Sequence, residues 1–231
     1  MLPINDDQNS TYPITYNAGE TGGLSDISTE HTSDSDGFIF SDSSSSHTIS
    51  TLVSREVADY FRSVFGYTFP ADENVPLLFP TDATADRLDM LLHVIVRLCR
   101  DGMNVPAPVN DMLRRGGVYD RGTGARVLDM ETNSGTWVSE MAGTYSTARF
   151  TSLDTKPLVP HIPHARISYQ VYNFYAGIME QYASFDLVHL RQGVYATKSF
   201  NFLLRELHRV LKPNGFLLIT ELPVQSYEGS R

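Results

Sequence analysis

The sequence predicts an α/β protein whose parallel β-sheet is covered by helices on both faces. Beyond Gly124, short apolar segments with the character of buried strands alternate with segments of helical periodicity. This alternation is typical of a parallel sheet. The chain has 231 residues, which leaves room for one domain, or for one domain and a tail. The sequence contains no internal repeat that would suggest a repeat architecture instead.

Two helices are predicted before the sheet begins. Ser54 is a suitable N-cap for a helix over residues 55–61, and a second helix fits residues 84–100. The apolar residues of the second helix recur at helical spacing and form one face. This face consists of Leu88, Leu91, Leu92, Ile95, Leu98 and Cys99. The Pro-rich stretch 105–108 and the pair at 116–117 predict connections.

Five strands follow, with helices after the first and the fourth. The strands are predicted at residues 126–130, 148–154, 166–172, 185–190 and 215–221. Trp137, Met141 and Tyr145 share one face of the first of these helices, because they stand four residues apart. The other helix begins at about Lys198 and ends at residues 212–215. Its predicted inward positions are Phe202, Leu203, Leu207, Val210 and Leu211.

The negative charge of the chain, −9 in total, is concentrated at its N-terminus. Residues 1–54 hold eight acidic residues and no Lys or Arg, whereas residues 55–231 hold 18 basic and 19 acidic residues. Fifteen of the thirty residues 25–54 are Ser or Thr, so this stretch cannot bury enough apolar surface to offset its chain entropy. The sequence therefore predicts a disordered acidic tail over 1–54, a helical cap segment over 55–120 and the sheet domain over 121–231.

The composition argues against several classes of protein. Residues 55–231 are nearly neutral, so the clustered basic charge of a nucleic-acid-binding protein is missing. Cys99 is the sole cysteine, so neither an intramolecular disulfide nor a thiolate zinc site is expected. No stretch approaches the roughly 20 apolar residues of a membrane span, and the N-terminus lacks the features of a secretory signal. We expect an intracellular protein, cytoplasmic or nuclear, with neither nucleic acid nor membrane as a partner.

Acidic residues end the first two predicted strands, where an open parallel sheet binds its ligands. Asp129 precedes the loop 130–135, and Asp154 ends the second strand 25 residues further on. Asp154 suits the two hydroxyls of a ribose, which predicts a nucleoside-containing cofactor. The dinucleotide fingerprint G-x-G-x-x-G fits poorly, because residues 131, 133 and 136 are Glu, Asn and Thr. An acid at Asp129 favours S-adenosylmethionine, whose ammonium group needs a nearby acceptor.

These residues resemble a class I S-adenosylmethionine-dependent methyltransferase, whose sheet is Rossmann-like. The resemblance is carried by Val127-Leu128-Asp129, Gly135, Trp137, Asp154, residues 185–191 and residues 211–216. Their order and spacing are similar to the fungal LaeA-like methyltransferases of secondary metabolism and its regulation. Residues 55–108 resemble the leader of that family, whose R-L-D-x-x-x-H stretch matches Arg87-Leu88-Asp89 and His93. The resemblance covers about residues 55–221 and implies S-adenosylmethionine as the cofactor.

The implied cofactor loop departs from the family pattern. The family reads D-x-G-x-G-x-G, whereas this chain has Asp129, Glu131, Asn133 and Gly135, so two glycines are replaced. Glycine permits a positive φ, which Asn tolerates fairly well and Glu poorly. The resemblance implies that these four residues hold the methionine part of the cofactor and that Asp154 holds the ribose. The replacements are expected to weaken binding by roughly 5- to 150-fold.

Further candidate residues follow the third and fourth strands. The family usually has acidic residues near the adenine after the third strand, whereas this chain has Tyr172 and Asn173. Asn173 is a candidate to hydrogen-bond to the adenine and Tyr172 to stack on it, with plain strand-end residues as the alternative interpretation. His189 is a candidate base for O-methylation, with a packing role as the alternative. His161 and His164 stand in a Pro-containing loop without evident carboxylate or Cys ligands nearby, so no metal site is predicted.

The sequence ends soon after the fifth predicted strand. The usual sheet of the family has seven strands and ends in an antiparallel hairpin, but only ten residues follow Glu221. We therefore expect a sheet that lacks this hairpin and has an open edge. Either the chain is shortened, or a protein partner completes the sheet.

Two functions remain open at this point. The first is a methyltransferase in which an O, N or C atom of a small-molecule or protein acceptor attacks the sulfonium methyl group, with catalysis mostly by positioning. Asp129, Gly135, Asp154 and Trp137 favour it. The second is a non-catalytic interaction or regulatory protein with a degenerate methyltransferase fold. The two replaced glycines and the missing hairpin favour this alternative.

Overall fold

The computed structural model describes residues 14–15, 50–51, 54–72, 75, 80–119, 122–157, 164–193 and 197–221. The helices in these ranges are α1 Ala83–Leu98, α2 Ala107–Arg114, α3 Thr136–Thr144 and α4 Phe200–Val210, with 3-10 helices at Ser54–Tyr60 and Phe174–Ala176. The strands are β1 Ile14–Thr15, β2 Ser50–Thr51, β3 Phe61–Val64, β4 Tyr67–Pro70, β5 Arg126–Met130, β6 Arg149–Asp154, β7 Ile167–Val171, β8 Phe185–Arg191 and β9 Leu211–Thr220.

The main sheet has the strand order β2-β1-β7-β6-β5-β8-β9. Five neighbouring strands of this sheet, in the order β7-β6-β5-β8-β9, pair in parallel throughout. The chain runs from β5 outward to β6 and β7 and then returns to β8 and β9 on the other side, so the order reverses between β5 and β8. This is the strand order of a Rossmann-like fold. The predicted α/β class and its five parallel strands are confirmed.

Helices cover both faces of this sheet. Val127 of β5 belongs to a buried cluster that includes Trp137 and Met141 of α3, whereas the next residue, Leu128, belongs to a cluster with Leu207 of α4. Successive side chains of a strand point to opposite faces. Accordingly β5, β6 and β8 contribute buried side chains to both clusters, whereas β7 contributes to the first cluster alone. The sheet is therefore buried on both sides, as its apolar strands indicate.

Helix α2 begins inside the Pro-rich stretch 105–108, for which the sequence predicts a connection. Pro106 is its N-cap, and Pro108 stands in its first turn. Proline is tolerated there because the first N–H groups of a helix have no partner within the helix. Val109, Met112 and Leu113 are buried in the cluster that also contains α3. The prolines therefore begin a helix here instead of preventing one.

Residues 61–70 form a β-hairpin, although the sequence suggests a helix that ends at residue 61. The 3-10 helix Ser54–Tyr60 precedes β3, which pairs antiparallel with β4. The turn residues Phe65 and Gly66 have φ angles of 51° and 82°, the left-handed values that a two-residue hairpin turn needs. The segment predicted as a helical cap therefore contains a hairpin beside its helices.

Helix α1 leaves most of its predicted apolar face exposed. Asp82 caps its first turn by accepting hydrogen bonds from two backbone N–H groups at 2.9 and 3.0 Å. Leu88 is 61% and Leu91 is 55% exposed, whereas Leu92 and His93 are buried. The edge that contains Leu92 and His93, and not the centre of the apolar stripe, packs on the described part of the protein.

Most of the predicted tail and the end of the chain lie outside the described residues. Within 1–54, Ile14 and Thr15 of β1 pair antiparallel with Val171 and Gln170 of β7, and β2 pairs in parallel with β1. The expectation of a missing hairpin concerns residues beyond Glu221, which are not described. No helix in the described ranges combines the length and the apolar character that a membrane span requires.

Candidate functional site

The loop between β5 and α3, residues 131–135, has left-handed backbone at every second residue. The φ angle is 55° at Glu131, 50° at Asn133 and 71° at Gly135, which is the N-cap of α3. Only glycine adopts this conformation without steric cost. Other residues lose roughly 1–2 kcal/mol, and Asn less because its side chain can hydrogen-bond locally. The loop therefore keeps the backbone that a glycine pattern would give, although two of the glycines are replaced.

Polar contacts from two directions hold this loop in place. The Asn133 backbone N–H donates to Oδ2 of Asp154 at 2.9 Å. On the other side, Ser134 donates to Oδ2 of Asp89 from its hydroxyl at 2.5 Å and from its backbone N–H at 3.2 Å. The loop is thus fixed between the end of β6 and helix α1.

A cavity of about 450 Å³ lies between the hairpin β3–β4, the first half of α1 and this loop. Asn133 and Ser134 follow β5 and Lys156 follows β6, so the cavity lies at the carboxyl ends of these strands. Asp86 and Met90 of α1 line the opposite wall. An open α/β sheet binds ligands at this end of its strands.

Asp154 is buried and accepts hydrogen bonds from the chain itself. Its Oδ1 accepts from the backbone N–H of Lys156 at 3.2 Å and from the Lys156 ammonium at 3.1 Å. The same ammonium donates to Oδ1 of Asn133 at 3.0 Å. The side chains of Asp154 and Lys156 are only 3% and 9% exposed. Burial alone would lower the pKa of Lys156, but the carboxylates of Asp154 and Glu131 outweigh it and raise that pKa.

Glu131 adds a third ionisable group beside this pair. Its Oε1 accepts a hydrogen bond from the hydroxyl of Tyr175. Burial, followed by repulsion from Asp154, raises the pKa of Glu131 to about 7, although Lys156 and Tyr175 act in the opposite direction. Burial and the Glu131 carboxylate also raise the pKa of Tyr175. Glu131 therefore keeps its proton to a higher pH than an ordinary Glu and adds less negative charge to the site.

Asp129 and His189 form a buried pair at the ends of the adjacent strands β5 and β8. Nδ1 of His189 lies 2.7 Å from Oδ1 of Asp129, and the imidazole stacks on Trp137 with 3.8 Å between ring centroids. Burial lowers the pKa of His189, although the hydrogen bond to Asp129 opposes this. A neutral His189 that donates its Nδ1–H to Asp129 accounts for this geometry. Neither residue lines the cavity.

A second network joins α1 to the end of β8. Arg191 donates from Nη2 to both carboxylate oxygens of Asp89 at 2.6 and 2.7 Å. Its Nη1 lies 3.5 Å from Nδ1 of His93, and Nε2 of His93 lies 3.1 Å from Oε2 of Glu140 on α3. Because Asp89 also accepts from Ser134, the stretch that contains Asp89 and His93 ties α1 to the loop, to β8 and to α3.

Tyr172 and Asn173 are also not among the residues that line the cavity. Tyr172 is buried in the core beside α4, where its hydroxyl accepts from the Met179 backbone N–H at 3.1 Å. Asn173 is buried, and its Nδ2 donates to Oδ2 of Asp72 at 2.8 Å. The structure thus brings Glu131, Asn133, Gly135 and Asp154 together, with Asp129 close behind on β5. The hydrogen bonds of Tyr172 and Asn173 are made to other residues, Met179 and Asp72 among them.

The predicted absence of a metal site concerns His161 and His164. His161 lies outside the described residues, and Nδ1 of His164 accepts from the Arg166 backbone N–H at 3.2 Å. In the described ranges, no three His, Cys, Asp or Glu side chains are grouped so that they could hold a metal ion.

Sequence reasoning missed Lys156 and Arg191 as parts of this site. Lys156 is one of three lysines in the chain and stands two residues after the acid that ends the second predicted strand. That proximity was a usable signal, because a cation so close to a strand-end carboxylate is placed to pair with it. Arg191 ends the fourth strand, but its partner Asp89 is 102 residues away in sequence, and no local pattern joins the two.

The strand order, the left-handed loop after the first parallel strand and the acid at the end of the second define the class of Rossmann-like methyltransferase domains. The chain belongs to such a family: the family model described as a methyltransferase domain matches residues 104–230. The resemblance to fungal LaeA-like methyltransferases is confirmed by the relatives given below.

Two curated fungal relatives are similar to this chain. Methyltransferase pytC of Aspergillus terreus is 27% identical over 145 residues, which are 62% of this chain and 41% of the relative. Secondary metabolism regulator laeA of Coprinopsis cinerea is 25% identical over 189 residues, which are 79% of this chain and 42% of the relative. The chain thus spans about two-fifths of the length of these relatives.

Among solved structures, an S-adenosylmethionine-dependent methyltransferase from Mesorhizobium loti is similar to this chain. The two share 20% sequence identity with a TM-score of 0.39, and the match covers 52% of this chain and 53% of that chain.

Proposed function

We propose that this protein is an S-adenosylmethionine-dependent methyltransferase of fungal secondary metabolism or its regulation. Membership of a methyltransferase family and similarity to pytC and laeA support this function. The observation that carries the proposal is the loop 131–135, which keeps left-handed backbone at three alternate positions beside Asp154 and the cavity. Strained backbone of this kind persists only where its surroundings enforce it, and it is concentrated at functional sites.

The residues around the cavity fit this cofactor. Asn133 and Ser134 supply polar groups of the cavity wall. Asp154, which is hydrogen-bonded to Asn133 and to Lys156 of that wall, is assigned to the ribose hydroxyls. We assign Asp129 to the ammonium group and Asn173, after β7, to the adenine. When bound, S-adenosylmethionine supplies a sulfonium-bound methyl group for transfer to an acceptor.

The side chains of this protein position groups and exclude water. His189 is buried and lies 2.7 Å from Asp129, so we assign to it the orientation of that carboxylate. The hairpin β3–β4 and helix α1 form the remaining walls. We therefore assign to them the choice of the acceptor, a small molecule or a protein. Positioning two reactants in this way can supply a large part of the rate enhancement.

Calorimetric titration of the purified chain with S-adenosylmethionine and with S-adenosylhomocysteine tests this function. We expect the wild type to bind both, and Asp154→Ala to weaken both by at least about tenfold, because hydrogen bonds to a charged group contribute roughly 1.5–3 kcal/mol each. Asp111→Ala, which removes an exposed carboxylate of α2, is the matched control and should change neither affinity. Asp154→Asn replaces the Ala variant if that one does not fold.

A wild-type chain that is folded by circular dichroism and binds neither compound would contradict the methyltransferase proposal. It would support the second candidate, a non-catalytic interaction protein with the same fold. One observation favours that candidate: Asp154 is already paired with Lys156. If the wild type binds and Asp154→Ala binds equally well, Asp154 is not part of the site.

A further inference from the structure

Lys156 donates hydrogen bonds to the Asp154 carboxylate, which the proposed site needs as the acceptor for a ribose. A carboxylate has about four acceptor positions, two on each oxygen. Oδ1 of Asp154 uses both of its positions for the backbone N–H and the ammonium of Lys156, and Oδ2 uses one for the Asn133 N–H. Because a ribose offers two hydroxyls, both can bind Asp154 only after the Lys156 ammonium has moved away.

Lys156 also brings positive charge to the cavity. It lines the cavity, yet its side chain is only 9% exposed, so water screens it poorly. S-adenosylmethionine has one net positive charge because of its sulfonium, whereas S-adenosylhomocysteine, left after methyl transfer, is neutral overall. The Lys156 ammonium therefore repels the cofactor more than the product.

We propose that Lys156 is a specificity-determining residue that competes with the ribose for Asp154 and shifts the preference of the site from S-adenosylmethionine toward S-adenosylhomocysteine. This inference rests on the proposed function. If cofactor binding is weak, the inference attributes part of the loss of affinity to Lys156 in the loop after β6, and not to the two replaced glycines alone.

The variant Lys156→Met removes the ammonium with little change in side-chain shape. The backbone N–H groups of residues 133 and 156 still donate to Asp154, so its buried carboxylate keeps two partners. Oδ1 of Asn133 loses a donor, but Asn133 lines the cavity, where water can replace it. Because the buried carboxylate also loses its cation, we expect the variant to fold with a lower melting temperature than the wild type.

The experiment compares wild type, Lys156→Met, Lys156→Gln and Lys198→Met by calorimetry with both compounds, with thermal unfolding as the check of folding. Lys156→Met should bind both about tenfold more tightly, because a strong acceptor position is freed, and should favour S-adenosylmethionine by about a further threefold. Lys156→Gln keeps a neutral donor for Asp154, so it should show mainly the increased preference for S-adenosylmethionine and little tightening of both compounds. Lys198 is exposed and outside the cavity lining, so Lys198→Met controls for net charge and should bind as the wild type does.

The outcomes separate this inference from the proposed function. If the wild type binds and Lys156→Met binds equally well, or if Lys198→Met has the same effect, the inference is wrong while the function stands. If Lys156→Met binds both compounds more weakly, Lys156 is a ligand of the cofactor and not a competitor. If neither folded protein binds either compound, both proposals fail. If Lys156→Met does not fold, Lys156→Gln tests whether loss of the ammonium increases the preference for S-adenosylmethionine, and an unchanged preference would contradict the inference.

Discussion

Glu131 and Asn133 have strained backbone in the loop that is proposed to bind the cofactor, so they are expected to affect its affinity. Both have φ angles near 50° without the freedom of glycine. The double change Glu131→Gly, Asn133→Gly removes this strain and a carboxylate beside Asp154. We expect S-adenosylmethionine to bind about tenfold more tightly, or about 1.4 kcal/mol, by calorimetry. The melting temperature should change little, because relief of strain opposes the added entropy of the unfolded chain.

Ala183→Gly is the matched control for that double change. Ala183 also has a positive φ, 51°, but it precedes β8 and is not among the residues that line the cavity. This control should leave affinity unchanged. Equal binding by the wild type and the double variant would show that the loop residues do not limit cofactor binding.

The raised pKa of Glu131 predicts a pH-dependent contribution to stability. The folded-state pKa is about 7, against an ordinary value of 4.5. The folded protein therefore holds this proton more tightly than the unfolded chain does, and stability is lost as pH rises from about 4.5 through about 7. Glu131→Gln removes this titration and can still accept from Tyr175. Its free energy of unfolding at pH 8 should exceed that of the wild type by on the order of 3 kcal/mol.

Urea denaturation of both proteins between pH 5 and pH 8 checks this prediction. His189, whose pKa is lowered by burial, destabilises the fold as pH falls, but it does so in both proteins and cancels in the difference. A difference that stays constant across this range would show that Glu131 titrates normally.

At this scale the sequence indicates the acids but not their partners. Asp129 and Asp154 could be placed because each ends an apolar strand, and parallel strands bring their carboxyl ends to one edge. The closeness of Lys156 to Asp154 in sequence indicates that they can pair, although the geometry of the pair depends on the path of the loop after β6. The pairing of Asp129 with His189 depends on β5 and β8 being neighbours, which no linear pattern contains.

Among the elements, α1 gives the sharpest test of packing. Leu91 is 55% exposed and its neighbour Leu92 is 8% exposed. Leu92→Ala should lower the free energy of unfolding by about 2–5 kcal/mol, whereas Leu91→Ala should change it by less than about 0.5 kcal/mol. Urea denaturation of the full chain measures both. Equal losses would mean that the apolar face of α1 is covered in solution.

The elements were predictable where hydrophobic pattern and length decide them. β5 and β8 at the centre of the parallel sheet are largely apolar runs that are buried along almost their whole length, so little else fits them. The hairpin β3–β4 was missed because its turn is Phe65-Gly66, while Asn-Gly or Asp-Gly is the usual signal. The periodicity of α1 shows that an apolar face exists, but it does not show which element covers that face.

For the whole molecule, residues 1–50 should contribute little to stability. In the described residues, their contact with the sheet is the pairing of Ile14 and Thr15 with β7. Deleting 1–50 should lower the melting temperature by no more than about 4 °C, which corresponds to about 1 kcal/mol for a protein of this size. It should also bring the net charge from −9 to about −1, since every removed charge is acidic.

Deletion of residues 1–12, which keeps β1, is the control for the longer deletion. Both truncated chains should melt close to the full chain in the same buffer. A drop of ten degrees or more that is confined to the longer deletion would show that the segment from β1 to β2 is an integral part of the fold.

The contacts of Asp89 have a consequence for the order in which the molecule assembles. Asp89 meets Ser134 across 45 residues and Arg191 across 102. During synthesis, α1 leaves the ribosome before either partner exists, and contacts of such span form only after the cost of closing a long loop has been met. We therefore expect α1 to dock last, on a sheet that is already formed. The reverse step, in which α1 detaches from a native sheet, would open the cavity and release the loop 131–135 together at less cost than global unfolding.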